Sequence, residues 1–567
     1  MGICDRYDVV IAGGGLAGLC LALQLKKTKP EIRVLVAERD EHPLPEAAHK
    51  VGESSVEAGS HYFSEVLGLS DLLGDELRKF GLRFFMSHDG NRDIANRLEC
   101  GPSHFLSVPS YQIDRGRFET GLARKARAAG IDFMDRCEVV EITLGTADAD
   151  HTVRVTRARE GFTVECRWIV DASGRASLLK KQLDLVRPNR HDVNAVWFRI
   201  DHPIDLDSWS DDLAWRARNK HSRRLSTNHL MGEGYWVWLI PLAGDRTSVG
   251  IVSDERLHPF AKLHTFDAAL TWLDRNEPQC AKAVRAHADE KMDFLALKHF
   301  SHDAKQVFSS DRWLLIGDAG YFIDPFYSPG SDFIGIANGF CCDLITRDLG
   351  GNAIEEIAPI YDQLFRSLAR TFLLTYHRQY PLMGSGRVLC TKVIWDFVMY
   401  WGGIALLFFR NKFVDPSFME RARPVLQGFA QLNVGMQSFF REWSKIEQGG
   451  AAAGSFIDYA EIEFLAEMNR NLLRDCEDDA LLTQLGRNLS LARELEQEIL
   501  AEAGSAKAAA TSHLSEAFTA MPPGSATTRP PSSATATPTS SATATPTSSA
   551  TTTPTSSATA TPPGGSI

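Results

Sequence analysis

The sequence predicts an α/β fold: a parallel sheet flanked by helices and interrupted by a second β-sheet, followed by a helical subdomain and a disordered tail. Three observations carry that prediction. An apolar run over residues 7–12 stops at the turn Gly13-Gly-Gly-Leu-Ala-Gly18, and a second apolar run over 34–37 ends at Glu38, twenty residues after the glycine that closes the fingerprint. Two further apolar runs lie far downstream, Trp168-Ile-Val-Asp171 and Trp313-Leu-Leu-Ile316, each ending in small residues and an aspartate. With 567 residues and 44% apolar content the chain has ample core and room for about three or four domains.

Residues 7–12 are expected to form a buried strand. Gly13 and Gly15 then let the turn close and a diphosphate approach the backbone, while Ala17 and Gly18 let the following helix pack on the sheet. The diphosphate would sit on the helix N-terminus, with Glu38 accepting from a ribose and Arg39 beside it. This is the Rossmann-like dinucleotide fingerprint in strand-helix-strand context. The same sheet is expected to take strands near 33–38, 165–171 and 313–317. Residues 193–201, 235–241 and 247–253 have β character with a turn signal at Gly244-Asp245, so they are assigned with about 80–110 to a substrate-binding sheet inserted within 190–300. The core is placed at 1–375 and a helical subdomain at 376–505, with amphipathic stretches at 459–474 and 478–503. Residues 506–567 form the tail, in which 532–563 repeats an eight-residue Ser/Ala/Thr/Pro unit four times without charge or aromatic residue.

The net charge of −11 opposes a nucleic-acid partner. Ten cysteines without a C-x-x-C pair indicate reduced thiols, no structural zinc and a cytoplasmic protein. The first strand begins too early to leave room for a signal peptide, and Arg6 breaks a myristoylation motif. Residues 393–409 carry a single ionised side chain, Asp396, and suit a buried helix better than a span, with peripheral membrane contact left open.

A carboxylate at a strand end facing a helix N-terminus, as Asp318 is in Gly317-Asp-Ala-Gly320, suits a ribityl chain. Together with the fingerprint and Trp168-Ile-Val-Asp-Ala-Ser-Gly-Arg175, this segment resembles the FAD-dependent aromatic hydroxylase, prenyl reductase and halogenase superfamily over roughly the first 380 residues. Within it, Tyr235-Trp-Val-Trp-Leu-Ile-Pro241 resembles the Trp-x-Trp-x-Ile-Pro pattern of flavin-dependent halogenases of the tryptophan halogenase-like family. The period of two places Trp236, Trp238 and Ile240 on one strand face, followed by Pro241. The resemblance implies a wall separating a flavin chamber from the organic substrate, crossed by a small oxidised halogen.

The same resemblance places Lys50, Gly52, Glu53 and Ser54 beside the flavin, Arg115 near the diphosphate or ribityl chain, and Lys79 at the catalytic position. A buried lysine with depressed pKa serves either as a nucleophile towards hypohalous acid or as a donor that polarises it. Asp114 equally reads as the cap of a helix that begins at Arg115. Ser328, Pro329, Gly330 and Ser331 fall at the halide-side loop, where backbone N–H groups make an anion site. Pro329 has no N–H to offer, so Gly330 and Ser331 must supply the donors or halide binding is weak. Tyr327 stands where the tryptophan-halogenase branch has a glutamate, which favours phenolic or other activated aromatic substrates. The implied activity is FADH2- and O2-dependent halogenation, chlorination foremost, in secondary metabolism, through a flavin hydroperoxide and hypohalous acid. Chloride or bromide is the co-substrate, and a separate flavin reductase is the expected partner because only one dinucleotide fingerprint is present. The aromatic substrate is either free or carrier-bound. The alternatives are a hydroxylase or prenyl-reductase-like enzyme, and a non-catalytic flavin-binding scaffold.

Overall fold

The structure, a computed structural model, describes residues 5–47, 50–146, 149–447 and 453–504. The repeat tail, Met1-Gly2 and His49 lie outside the described residues.

The fingerprint folds as strand Arg6–Ala12 and helix Leu16–Thr28, with Val34–Ala37 as the next strand. Parallel pairing gives the order Asp132–Met134, Val34–Ala37, Arg6–Ala12, Glu160–Asp171, Trp313–Leu315. In register, Ala12 sits beside both Ala37 and Asp171, and Asp171 beside Leu315. The carboxyl ends of four strands therefore deliver Gly13, Glu38, Ala172 and Ile316 to one edge, where open α/β sheets bind their ligands.

The third strand is longer than the sequence predicts. It begins at Glu160 because its first half pairs antiparallel with His151–Arg157, which in turn pairs with Cys137–Thr143. Only Trp168–Asp171 is continuously buried, and only there is the apolar run that marks a strand between neighbours. The fourth strand is shorter and stops at Leu315, because Gly317, at φ +55°, turns the chain into a single helical turn over Gly317–Ala319.

The second sheet has the order Leu295–Leu297, Val193–Ile200, Arg246–Asp254, Tyr235–Leu242, Thr227–Gly232, Leu82–Phe85, Glu99–Gly101, Phe456–Asp458. Its last strand comes from within the C-terminal helical region, between helices Pro416–Ile446 and Glu463–Asn471, and was not predicted. The alternation read from Tyr235–Leu242 divides two cores. Trp236, Trp238, Ile240 and Leu242 face the core shared with the nucleotide sheet, while Tyr235, Val237 and Leu239 face a separate core with helices Phe266–Asn276 and Pro278–Ala286.

The apolar segment 393–409 is part of helix Gly386–Met399, a widened π-turn over Tyr400–Ile404, and Ala405–Phe409. It is long and apolar enough to cross a membrane, but its apolar window is 78% buried within the protein. Its one acid is also accounted for: Asp396 ion-pairs with Lys392 one turn earlier and accepts from Tyr327 Oη and Gln437 Nε2, both at 2.7 Å. Helix Pro416–Ile446 supplies Gln437 and covers this face, so protein replaces lipid as the apolar neighbour. The nine described cysteines are free thiols, eight of them buried.

Candidate active site

The three sequence segments read as nucleotide-binding converge at one place. Gly13, at φ +118°, lies so close to Ala172 that an added Cβ would overlap the Ala172 carbonyl; one on Gly18 would overlap Gly13. A Cβ on Gly317 would stand 3.0 Å from that of Ala17. Gly15 differs: the nearest atoms to its missing side chain are Lys50 Nζ at 3.8 Å and Glu119 Oε2 at 3.9 Å. The protein fills the space around the other glycines and leaves it open above Gly15, at the head of helix Leu16–Thr28, as a diphosphate on that helix terminus requires.

Glu38 Oε2 accepts from Gly14 N at 2.6 Å and Oε1 from Asp40 N at 2.8 Å, leaving each oxygen a further acceptor position for a ribose hydroxyl. The Arg39 side chain is exposed beside it. Lys50 Nζ bonds Glu119 Oε2 at 2.6 Å, and Arg115 pairs with the same carboxylate while donating from Nη1 to Val51 O at 2.6 Å. Asp114 is indeed the helix cap, accepting from Gly116 N and Arg117 N. Burial pushes the Asp318 carboxyl up, opposed by the charges of Arg115, Arg175 and Lys180. These residues fit a dinucleotide: a donor-rich helix terminus, cations at its mouth and acceptors at either end.

Glu53 is corrected in part. Its side chain is buried in an ion pair with Arg199 at 2.7 Å, and Arg199 also pairs with Asp293 at 2.5 Å and donates to Lys50 O at 2.7 Å. The carboxylate locks the 50–54 segment onto the second sheet, so any approach to a flavin falls to the neighbouring backbone, where Gly52 has φ +95°.

Lys79 is 3% exposed, in the loop between the short strand Leu77–Arg78 and Leu82–Phe85. Its backbone N–H is fixed by Ser110 O at 2.8 Å. Its Nζ donates to Ser54 Oγ at 2.8 Å and Ser55 O at 2.9 Å. Ser54 Oγ also meets Ser328 Oγ at 3.0 Å and Thr227 Oγ1 at 2.8 Å. The structure thus joins the expected lysine, the 50–54 segment and the halide-side loop through one hydroxyl. Burial pulls the Lys79 ammonium down to about 7 against the opposing charges of Glu57 and Asp332.

Ser328 has φ +58° and Pro329 caps helix Gly330–Leu349. Nothing in the protein lies within 4 Å of a Cβ on Gly330, and Ser331 Oγ is buried without a hydrogen-bond partner. First-turn N–H groups of a helix have no intrahelical partner, so those of Gly330 and Ser331 are not used within the helix, and the space beside Gly330 is open. The indoles of Trp236 and Trp238 lie 5.6 Å apart, and Phe326 stands edge-on to Trp236 at 5.3 Å. Gly250 makes room for Trp238, whose Nε1 donates to Ser248 Oγ at 3.1 Å. Ile240 continues this face, and Pro241 after it is buried as well.

Sequence reasoning missed the groups that fix this arrangement. Tyr380 Oη accepts from Trp236 Nε1 at 3.0 Å and donates to Asp324 Oδ2 at 2.7 Å, which also meets His191 Nε2 at 2.7 Å. Asp324 opens the segment Asp324-Pro-Phe-Tyr-Ser-Pro-Gly330 that resembles the halide-side loop, so the sequence brings it here without its hydrogen bonds; His191 and Tyr380 carry no such signal.

The fold and this site define an FAD-dependent oxidoreductase. The sequence matches the family described as FAD binding domain over residues 6–332. It is 24% identical to the flavin-dependent halogenase chlA of Dictyostelium discoideum over 454 residues, 74% of this chain and 73% of that protein. It is 25% identical over 346 residues to the 1H-pyrrole-2-carbonyl-(peptidyl-carrier protein) chlorinase of Pseudomonas fluorescens, 57% of this chain and 72% of that one. The crystal structure of halogenase PltM in complex with phloroglucinol and FAD superposes with TM-score 0.60 at 18% identity, covering 86% of this chain and 96% of that one. The chain belongs to the FAD-binding domain family and is an oxidoreductase of the flavin-dependent halogenase type.

Proposed function

We propose that the protein chlorinates a free, electron-rich phenolic substrate, receiving reduced FAD from a separate reductase. The observation that carries this is the buried Lys79 ammonium joined through Ser54 to Ser328, with Trp236 and Trp238 on one buried strand face. FAD, when bound, supplies the oxygen activation that converts halide to hypohalous acid. The chain's residues do the rest. Glu38, the Gly15 helix terminus and Asp318 hold the dinucleotide, and Gly330 and Ser331 N–H groups draw the halide to the flavin side. The Trp236 and Trp238 indoles exclude the organic substrate from it, and Lys79 donates a hydrogen bond that polarises the oxidised halogen. A phenol fits because its ring needs no carboxylate at Tyr327, whose hydroxyl is committed to Asp396. The phloroglucinol complex of PltM supports a phenol; the peptidyl-carrier chlorinase supports a tethered pyrrole less directly, since a net charge of −11 gives no support for docking an acidic carrier.

The test is mass spectrometry of products formed by the FAD-loaded protein with a flavin reductase, NADH, oxygen and a panel of phenols, pyrroles and indoles, in chloride and then bromide. A Lys79-dependent gain of one halogen on a phenol supports the proposal. Gain of one oxygen instead favours a hydroxylase, the second reading that Pro329 keeps in view.

Two further outcomes follow from the same geometry. If Lys79 acts as a donor, its working form is the ammonium. Product formation should therefore fall about tenfold per pH unit above about 7 and stay level just below it, in a pH–rate series at saturating FAD. A rise with pH would mean the free amine is the working form. Trp238→Ala should leave flavin oxidation intact, lower product per flavin oxidised severalfold, and raise the hypohalous acid trapped by monochlorodimedone; an unchanged partition would remove the wall role.

A further inference from the structure

The segment 324–332, which carries the halide-side loop, is tied to the C-terminal helices by three tyrosine–aspartate hydrogen bonds. Tyr380 Oη donates to Asp324 Oδ2 at 2.7 Å, Tyr327 Oη to Asp396 Oδ2 at 2.7 Å and Tyr400 Oη to Asp332 Oδ2 at 2.6 Å. In each bond one partner lies in 324–332. The other lies between Tyr380 and Tyr400, where a short helical turn over Tyr380–Gly384, helix Gly386–Met399 and the π-turn over Tyr400–Ile404 follow one another. The aspartates are buried, Asp324 and Asp332 to 1% exposure and Asp396 to 6%, and each has further partners. Asp324 Oδ1 accepts from Phe326 N at 3.0 Å and its Oδ2 meets His191 Nε2 at 2.7 Å. Asp396 pairs with Lys392 and accepts from Gln437, and Asp332 Oδ1 accepts from Gly59 N at 2.7 Å. The anchors are therefore fixed points and not side chains free to follow the loop.

Between those anchors the backbone is strained. Ser328 has φ +58°, a left-handed conformation that glycine takes freely and serine takes where its surroundings impose it. Locally, its N–H donates to Pro325 O at 2.8 Å and its Oγ to Ser54 Oγ at 3.0 Å. Asp324 and Tyr327 hold the chain on one side of this residue, and Asp332 holds it on the other. Pro329, Gly330 and Ser331 follow at once, so the sign of one φ decides where the N–H groups of Gly330 and Ser331 point. A serine released from its anchors relaxes towards negative φ and turns those groups away.

We propose that Tyr327, Tyr380 and Tyr400 are positioning residues: their bonds to buried aspartates clamp the Ser328 turn in the conformation that binds halide. The proposal deepens the halogenase reading and rests on its assignment of Gly330 and Ser331 to the halide. The three hydroxyls act through the loop and not on the substrate or the flavin. Halide affinity is then set in part by the C-terminal helices, while the diphosphate end of the FAD site, built from Gly15, Glu38 and Arg115, does not depend on them.

The test is a bromide titration of the full-length, FAD-loaded protein in chloride-free buffer, read by the change in flavin fluorescence. Beside it run hydrogen–deuterium exchange of peptides spanning Phe326 and Ser328, FAD affinity and a thermal melt. Tyr327→Phe is the leading variant, because Asp396 keeps Lys392 and Gln437 when the hydroxyl goes. This variant, Tyr380→Phe and Tyr400→Phe should each weaken bromide binding about threefold to tenfold, the worth of one hydrogen bond. Each should also speed exchange in 324–332 and leave FAD affinity unchanged, and three variants keep the test available if one fails to fold. Ser328→Gly takes φ +58° without strain. Tyr327→Phe should therefore cost less bromide affinity in that background than in the wild type, a result that a merely structural role would not give. Lower melting temperatures with unchanged bromide affinity and exchange would overturn the proposal, as would an equal penalty in the Ser328→Gly background. No bromide response in the wild type would instead reject the halide reading. Exchange would then decide the clamp by itself, upheld by faster exchange confined to 324–332 and overturned by unchanged exchange.

Discussion

Lys79→Met is expected to give a folded, FAD-binding protein that forms no detectable halogenated product, a loss of at least about 10²- to 10³-fold. Methionine matches the lysine stem in length, so the loop between Leu77–Arg78 and Leu82–Phe85 keeps its packing. The change leaves Ser54 Oγ with Ser328 and Thr227 as partners, and only Ser55 O loses a donor, at a cost of about 1–3 kcal/mol. Removing a desolvated ammonium offsets part of that. Stability should therefore change little while the group that polarises the oxidised halogen disappears. The measurement pairs product mass spectrometry with FAD stoichiometry and a thermal melt. Product at near wild-type yield would show that the halogen is activated elsewhere; a protein that fails to melt cooperatively would show that the buried cluster is a folding element first.

The features legible in the sequence are those fixed by local geometry. The fingerprint glycines, Glu38 and the strand end at Asp171 announce themselves because a turn, a helix terminus and a parallel strand each demand particular residues within a short span. The facing of Trp236, Trp238 and Ile240 follows from the period of a strand, and the structure places them on the face shared with the nucleotide sheet. Lys79 was reachable through resemblance, since nothing in Arg78-Lys-Phe-Gly distinguishes it from a solvated lysine; its burial depends on Ser54, Ser55 and Ser110 arriving from other segments. Tyr400 and Asp396 are hidden in an apolar stretch whose meaning flips once Tyr327, Lys392 and Gln437 are seen around them. Glu53 shows the opposite error, a motif residue whose side chain is spent on Arg199. The strand Phe456–Asp458 is too short to carry a pattern and exists because Glu99–Gly101 offers it an edge.

Two glycines two residues apart, Gly13 and Gly15, should fail in different ways when each is replaced by alanine. At Gly13 the backbone is at φ +118°, where an L side chain is strained by about 1–3 kcal/mol, and the new Cβ overlaps the Ala172 carbonyl. That carbonyl belongs to the segment following Asp171, so the strain is relieved only by separating Arg6–Ala12 from Glu160–Asp171 at their functional ends. Gly13→Ala should therefore lower the melting temperature of the cofactor-free protein and abolish FAD retention through purification. Gly15 has φ −76°, ordinary for alanine, and no protein atom closer than 3.8 Å to the new methyl. Gly15→Ala should melt as the wild type does without cofactor, or slightly higher because an alanine loses less chain entropy. Its FAD affinity should nevertheless fall, by about 10²-fold if the methyl displaces the diphosphate from the helix terminus at a cost near 2.7 kcal/mol. Fluorescence titration of FAD beside a melt of each cofactor-free variant separates the two. Equal loss of stability in both would mean the space above Gly15 is needed by the fold, and unchanged affinity in Gly15→Ala would move the diphosphate away from this helix altogether.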